Sequence, residues 1–385
     1  MDNAGGSQAL GTVAERIAEY LLYRNVQIGG TYERSVKAAE SLYEGRRAVM
    51  EMVNASRPEE IVFAPTSTVA LQNLSKAIAP MFEPGDEVIV TNFDHESNIG
   101  PWLPLKERGA NIRIWEIDPE TLTPTRSELE SLLSERTKLV CVTHVSNILG
   151  SVNPIRDFAD AAHEAGSLIC VDSVAFAPHR AIDVRALDAD FLVFSAYKAY
   201  GPHVAAMYGR YELLLELDNL YHYFYGKEKV PAKLEPGNAN YELAYSLTAV
   251  RDYLAGLGTA DGNDVRESIE NAFGAIARHE TRLAARLLDF LGSRKNIRVI
   301  GGVTAADPDR LPTISFKVAG SDSAAVARGL EEYKIAARFG DFHSRRLIEH
   351  LDLAGSNGVV RISLVHYNTI EEVDRLISAL EEVLS

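Results

Sequence analysis

The stretch that decides the fold runs from Ser167 to Pro202 and reads SLICVDSVAFAPHRAIDVRALDADFLVFSAYKAYGP. Its two apolar runs, SLICVDSV and DFLVFS, predict buried strands, because they are apolar throughout rather than alternating, as strands are when helices cover both sheet faces. Asp172 ends the first run, and Lys198 follows the second. Ligand-binding groups of open parallel sheets gather beyond the carboxyl ends of the strands. The stretch therefore predicts an α/β sheet with a site at this edge.

Asp172 and Lys198 each have a chemical and a structural interpretation. Burying an ionised carboxylate is costly unless a cation or hydrogen-bond donors meet it, so a positive group should face Asp172, either a ligand or a structural arginine. A lysine that is partly desolvated has a lowered amine pKa and can attack a carbonyl, whereas an exposed loop lysine has no such role.

Five further apolar runs surround this stretch and predict the rest of a mainly parallel sheet, with helices such as 67–79 between them. They read EIVFA, EVIVTN, NIRIWEI, KLVCVTHV and HVAAMYG. After EIVFA, the hydroxyls of Thr66, Ser67 and Thr68 stand at a helix start, where they suit either a phosphate or a plain N-cap. After EVIVTN, His95 lies in a polar segment that precedes a predicted helix start near Ile99. There it can contact a ligand, cap the helix or be an ordinary surface residue.

A Gly- and Asp-rich break, GLGTADGNDV, begins at residue 256 and is followed by a long helical pattern. Beyond it, LPTISFKV, KIAARFG and VVRISLV predict strands, and residues 370–384 predict a closing helix with its apolar residues at helical spacing. We therefore predict a large domain over residues 1–256 and a small C-terminal α/β domain over residues 257–385.

Composition and missing motifs argue against several kinds of partner. A formal charge of −15 repels nucleic acid and anionic lipid, and no apolar run is long enough for a membrane span. The start of the chain lacks signal-peptide features, so a cytoplasmic location is predicted. Asp261 stands where a dinucleotide-binding fingerprint needs its third glycine, and no paired metal-ligand spacing appears, so neither a nicotinamide cofactor nor a metal is predicted.

Taken in order, several segments resemble the cysteine desulfurase-like branch of the aminotransferase class V family, in the fold type I group of pyridoxal-phosphate enzymes. They are MDNA at the start, then DHESNIGPW, THVSNILGSVNPI, DADFLVFSAYKAYGP, EPGNANYE and VVRISLVHYNT. The resemblance implies a large domain with a mainly parallel seven-stranded sheet and a smaller C-terminal α/β domain, to which the N-terminal segment contributes. It also implies a pyridoxal 5'-phosphate cofactor and an amino-acid substrate.

Residue by residue, the resemblance assigns three catalytic groups. Lys198 matches the lysine that holds the cofactor as a Schiff base and, once freed, moves the substrate α-proton. Asp172 matches the carboxylate that keeps the pyridine nitrogen protonated, which makes the ring a better electron sink. His95 matches the imidazole that stacks on the ring.

The resemblance also assigns the cofactor and substrate contacts. Thr68, Ser195 and the amide of Ser67 match phosphate-binding positions, and Asn147 matches a side chain near the phenolic oxygen and the substrate. Arg361 matches the guanidinium that grips the substrate carboxylate through a two-pronged ion pair. The segment from Glu235 to Asn240 resembles a loop that reaches the partner subunit's phosphate, which implies a homodimer with active sites at the subunit interface.

The chain departs from the family pattern at four positions. Desulfurases carry their persulfide-forming cysteine after an Arg-x-Gly pattern, and here that pattern begins at Arg338 and places His343 near the cysteine position, so the resemblance implies that Arg338 and His343 contact the substrate. Ala175 stands where Gln or His contacts the phenolic oxygen, Tyr197 replaces the histidine before the lysine, and Asn238 replaces a threonine. Tyr and Asn still offer donors, so we expect rearranged phosphate contacts.

The favoured function is a C–S or C–Se lyase that removes an α-proton and eliminates a β-substituent without an enzyme persulfide. No thiol is expected at the loop, because Cys141 and Cys170 lie in apolar runs and are predicted to be small core residues. Two alternatives remain open. The first is an epimerase or aminotransferase, in which the carbanion left by removal of the α-proton is reprotonated elsewhere, with His343 or Tyr197 as proton carriers. The second is a catalytically silent binding protein.

Overall fold

The computed structural model describes residues 1–258, 264–305 and 310–384. A large sheet holds seven strands: β1 (Ile61–Ala64), β2 (Glu87–Thr91), β3 (Asn111–Trp115), β4 (Thr137–Thr143), β5 (Leu168–Asp172), β6 (Phe191–Ser195) and β7 (Ala205–Gly209). Their order is β1-β7-β6-β5-β4-β2-β3. Only β7 runs antiparallel to its neighbours, while β2 to β6 are mutually parallel. The prediction of a mainly parallel seven-stranded sheet is confirmed.

Helices cover both faces of this sheet, which explains why its strands are apolar throughout. They are α1 (Gly11–Tyr23), α2 (Glu33–Val53), α3 (Ser67–Ile78), α4 (Arg126–Leu132), α5 (Ile155–Glu164), α6 (Tyr211–Glu216), α7 (Tyr241–Leu257) and α8 (Val265–Gly292). Successive residues of β4 enter different cores: Val142 packs in the cluster on one face, and Cys141 packs in the cluster on the other. Cys141 and Cys170 are neighbours in the β4–β5 register and are fully buried.

A second sheet of four antiparallel strands follows α8. Its strands are β8 (Ile297–Ile300), β9 (Thr313–Val318), β10 (Arg338–Gly340) and β11 (Val359–Ser363), in the order β10-β11-β9-β8. Helices α9 (Ser323–Glu332), α10 (Arg345–His350) and α11 (Ile370–Val383) accompany it. The N-terminus joins this sheet, since Asp2 bridges to Ser363 and the Ser363 amide donates to the Met1 carbonyl at 2.9 Å.

Three local features differ from the sequence-based expectation. The helix expected near Ile99 is instead two 3₁₀ helices, Glu96–Asn98 and Gly100–Arg108, because Pro101 and Pro104 lack the amides of an α-helix. Strand β10 begins only at Arg338, because Lys334 has a left-handed φ of 56° that interrupts the extended run. Strand β8 was not predicted, since its residues are only partly buried and lack a clear alternation.

The predicted break after residue 256 begins where α7 ends at Leu257. Residues 259–263, including Asp261, lie outside the described part of the chain. The division into domains at this point stays a prediction. No helix in the described ranges is both long enough and apolar enough to cross a lipid bilayer.

Candidate active site

A cavity of about 170 Å³ opens beyond the carboxyl ends of the large-sheet strands. Ten residues singled out from the sequence line it: Thr66, Ser67, Thr68, His95, Asn147, Asp172, Ala175, Ser195, Tyr197 and Lys198. They converge because β1, β2, β4, β5 and β6 each end at this edge and release one polar segment there.

Lys198 lies in a short 3₁₀ helix after β6 and faces this cavity. Burial, and after it the charge of the Arg361 guanidinium, lower the pKa of its amine to about 8, although the Asp172 carboxylate opposes the shift. A substantial fraction of the amine is therefore neutral near physiological pH and able to attack an aldehyde.

Asp172 is the last residue of β5 and is only 4% exposed. Burial raises the pKa of its carboxyl group, while a hydrogen bond from the Val174 amide at 2.8 Å and the charge of Lys198 act in the opposite direction. A cationic ring nitrogen opposite the carboxylate would offset the cost of burial.

Hydroxyl groups gather at the start of α3. Thr66 caps the helix by accepting from the Val69 amide at 3.1 Å, so the capping interpretation holds for this hydroxyl. The Ser67 and Ser195 hydroxyls lie 2.6 Å apart, and the Thr68 and Ser97 hydroxyls lie 2.7 Å apart. Free helix-start amides and several hydroxyls form a donor set that suits a phosphate dianion.

His95 precedes the 3₁₀ helix Glu96–Asn98, and its Nδ1 accepts from the Ser97 amide at 3.1 Å. Burial lowers the pKa of the imidazole to about 3, and Lys198, His343 and Arg361 contribute to the same direction. The ring is therefore neutral, carries its proton on Nε2, and offers a flat face to the cavity.

A second cavity of about 330 Å³ adjoins the first, and Lys198, His95, Asn147 and Tyr197 line both. Three further predicted site residues line the second cavity but not the first: Arg338, His343 and Arg361. Arg361 is 3% exposed and lies on β11 beside Arg338 of β10. The structure therefore places the predicted substrate residues next to the predicted cofactor residues.

Three contacts fix the Arg361 guanidinium. One nitrogen donates to the Asn147 carbonyl at 3.2 Å, another lies 3.5 Å from the Asp2 carboxylate, and the guanidinium carbon stands 3.7 Å from the centre of the Phe342 ring. Burial lowers the pKa of Arg361 to about 10, so the group is still a cation at pH 7. Its Nε has no hydrogen-bond partner in the described part of the chain.

The segment from Asp341 to Arg346, which we call the His343 loop, is tied to the large sheet. The Asn147 side chain donates to the Phe342 carbonyl at 3.0 Å and accepts from the Ser344 hydroxyl at 2.7 Å. The Glu96 amide donates to the His343 carbonyl at 2.8 Å. The Arg346 guanidinium makes two contacts of 3.1 Å with the Glu96 carboxylate.

Four predicted positions, Asn238, Asn147, Ala175 and Tyr197, differ in their relation to the two cavities. Asn238 is exposed with a left-handed φ of 81° and lines neither cavity, so one chain alone does not bring it to the site. The Asn147 side chain, which lines both cavities, makes one donated and one accepted hydrogen bond to the His343 loop. Ala175 lines the first cavity, and Tyr197 stacks on His203 with ring centres 4.8 Å apart.

Sequence reasoning missed Asp2, Ser97 and Phe342 as contributors to the site. Ser97 could have been found from its place two residues after His95. Asp2 and Phe342 contact Arg361 only through tertiary packing. No local sequence pattern predicts either contact.

Residues 1–376 match the sequence profile of the Aminotransferase class-V family. The chain is 42% identical to Aminotransferase-like protein FGM3 of Gibberella zeae, over all of this chain and 94% of that protein. It is 32% identical to a probable cysteine desulfurase of Synechocystis, over all of this chain and 90% of that protein. The structure superposes on the apo cysteine desulfurase of Thermococcus onnurineus NA1 with a TM-score of 0.88 and 27% identity, covering 99% of this chain and 93% of the other.

Proposed function

The chain belongs to the aminotransferase class V family of pyridoxal-phosphate-dependent enzymes, and from that premise we propose that it is an amino-acid C–S or C–Se lyase. Its fold is that of the fold type I group, as the match to solved cysteine desulfurases shows. The proposed reaction removes the α-proton, expels the β-substituent and forms no persulfide on the enzyme. The observation that carries the proposal is that His343 lies near the position of the desulfurase cysteine, while Lys198, Asp172 and Arg361 are all present around the two cavities.

The donor set fits pyridoxal 5'-phosphate from end to end. The hydroxyls and amides at the start of α3 suit the phosphate, the buried Asp172 suits a protonated ring nitrogen, and the Lys198 amine suits the aldehyde. His95 offers a neutral ring for stacking. When bound, the cofactor would supply the electron sink that makes the α-proton acidic.

Separate side chains of the protein would bind the substrate and remove its α-proton. Arg361 would hold the substrate carboxylate through its guanidinium, which lines the second cavity. Lys198, released by the incoming amine, would take the α-proton, and its lowered pKa matches that task. The walls of the first cavity, with Val145, Val174 and Ala175 among them, would limit the access of water.

No thiol is placed to take sulfur from a substrate. Both cysteines of the chain are 0% exposed inside β4 and β5, and burial raises the pKa of the Cys141 thiol well above its usual range. Direct release of the β-substituent is therefore the outcome that these residues support.

We further propose a homodimer in which the 235–240 segment of one subunit approaches the phosphate of its partner. Glu235 is anchored within its own subunit, because its carboxylate accepts from Arg46 at 2.8 and 2.5 Å and from the Phe63 amide at 2.6 Å. From this fixed point the exposed Asn238 projects outward. That geometry is compatible with a contact to a second chain.

The function is tested by incubating purified, cofactor-loaded protein with cysteine, cystine and cysteine S-conjugates while pyruvate and released thiol or sulfide are measured. We expect pyruvate and the thiol in equal amounts, and neither with Lys198→Ala. If the protein exchanges the α-hydrogen with deuterated solvent or forms the D-amino acid, yet releases no thiol, an epimerase replaces the lyase. Formation of a keto acid that retains the β-substituent would instead support an aminotransferase.

A further inference from the structure

This inference deepens the proposed lyase function and depends on it. An amino-acid α-carbon carries an amine, a carboxylate, a hydrogen and a side chain. Lys198 marks the position of the amine through the cofactor aldehyde, and Arg361 marks the position of the carboxylate. Both groups line the second cavity, so the β-substituent must face one of its remaining walls.

The His343 loop, together with the end of β10, forms one such wall. Phe342 is buried against the Arg361 guanidinium and has no transferable proton. The Asp341 carboxylate accepts from the His343 amide at 3.0 Å, and as an anion it would repel a departing thiolate. Arg338 does not release its proton in the physiological range. His343 is therefore the group of this wall whose side chain, an imidazole, is suited to act as a general acid.

The position of His343 is fixed rather than incidental. Its carbonyl accepts from the Glu96 amide, and the Phe342 carbonyl before it and the Ser344 hydroxyl after it are both held by Asn147. The His343 ring lies 5.1 Å from the His95 ring, centre to centre. His343, His95 and Lys198 line the same cavity, so the imidazole of His343 borders the space that a bound substrate would occupy.

His343 also differs from His95 in its contact with solvent. His343 is exposed, while His95 is only partly accessible and its Nδ1 is already occupied by the Ser97 amide. An exposed imidazole can recover a proton from water after each turnover.

We propose that His343 is a catalytic residue that protonates the leaving β-substituent. The bond from the β-carbon to sulfur or selenium breaks with its electron pair on the heteroatom, and that atom takes the imidazole proton to leave as a neutral thiol or selenol. The α-proton goes separately to Lys198, and His343 is reprotonated by solvent. The imidazole thus performs a proton transfer at a position where the desulfurases use a cysteine for sulfur transfer.

The test uses cofactor-loaded wild type, His343→Gln, His343→Ala and the remote control His222→Gln, with two cysteine S-conjugates. One conjugate releases a weakly acidic alkanethiol, and the other releases a strongly acidic nitrothiophenol, which needs little help from an acid. We expect His343→Gln to slow the alkanethiol release on the order of 100-fold and the nitrothiophenol release less than about 10-fold. Imidazole added to His343→Ala should partly restore the slow reaction.

Exchange of the substrate α-hydrogen with deuterated solvent gives a second readout that does not depend on elimination. His343→Gln should keep this exchange within about 3-fold of wild type, because Lys198 performs that step. If His343→Gln slows thiol release from both conjugates equally, or also slows exchange of the α-hydrogen, His343 acts only through the shape of the site. Either result would overturn the assignment. If wild type exchanges the hydrogen but releases neither thiol, the lyase function itself fails, and the His343 assignment is rejected with it.

Discussion

At the scale of single residues, the chemistry of the site depends on two charges on either side of one amine. Arg361 lowers the pKa of Lys198 and Asp172 raises it, on top of the larger effect of burial. Both neighbours are themselves buried and held in place, so neither charge is fully screened by solvent. The reactivity of the amine should therefore respond in opposite directions when each neighbour is removed.

We predict that the rate at which Lys198 joins pyridoxal phosphate rises with pH and is half-maximal near pH 8, since only the neutral amine attacks. Arg361→Met should move the midpoint to higher pH, because a cation that disfavours protonation is lost. Asp172→Asn should move it to lower pH. Stopped-flow absorbance across pH measures the midpoints, with Arg156→Met on the exposed side of α5 as a control. Shifts of the same sign in both site variants would contradict the assignment.

At the scale of elements, the His343 loop is the part of the site that joins the two sheets. It follows β10 of the small sheet, and its contacts to Glu96 and Asn147 attach it to loops of the large sheet. Phe342 and His343 adopt left-handed φ values of 51° and 60°, a conformation that bulky side chains disfavour. The surrounding contacts must therefore hold the backbone in that shape.

We predict that Glu96→Gln or Arg346→Gln loosens the His343 loop without unfolding the protein. A bidentate pair at this exposure contributes about 0.5–1 kcal/mol, so local opening should increase about 2- to 5-fold. Hydrogen exchange of amides 341–346 measures the opening, and the rate of thiol release should fall with it. The swapped pair Glu96→Arg with Arg346→Glu should recover protection.

Glu349→Gln is the control for that experiment, because it removes an exposed ion pair that lies within α10 and does not reach the large sheet. Equal loosening in this variant would show that helix α10, and not the link to Glu96, governs the loop.

Much of the element pattern could be predicted because burial on both faces leaves a signature in the sequence. The runs around Val171 and Val193 are apolar at every position, and the polar residues that end them mark the site. The same logic could not find β8, whose residues are half-buried, or the 3₁₀ helix Gly100–Arg108, which proline imposes within an otherwise helical segment. Asp2 beside Arg361 was also beyond reach, because that contact joins opposite ends of the chain.

At the scale of the whole molecule, one predicted site residue, Asn238, lies away from both cavities of its own chain. The phosphate end of the cavity already has hydroxyls from Ser67, Thr68 and Ser195. Asn238 lies on the outside, and the buried Arg46–Glu235 ion pair, with side chains 9% and 3% exposed, fixes the base of its segment. A second copy of the chain would bring Asn238 to a site that its own subunit does not reach.

We predict that Asn238→Asp weakens pyridoxal phosphate binding at least 10-fold, because it places a negative charge beside the partner's phosphate. In a heterodimer with Lys198→Ala, the subunit that retains Lys198 would receive an unaltered Asn238 from its partner. Its affinity for the cofactor should return to that of wild type. Cofactor absorbance of tagged, purified heterodimers measures this, and a heterodimer no better than the Asn238→Asp protein would refute the shared site.

The course of the first seven residues affects how the protein should be produced. Met1 pairs with Ser363, Asp2 meets Arg361, Ala4 and Gly5 line the second cavity, and the Ser7 amide donates to the carbonyl of Tyr197. A protein prepared with residues 1–7 altered would lose contacts around the arginine assigned to the substrate carboxylate. Helix α11 contributes no residue to either of these two cavities, so changes made in that helix leave their linings intact.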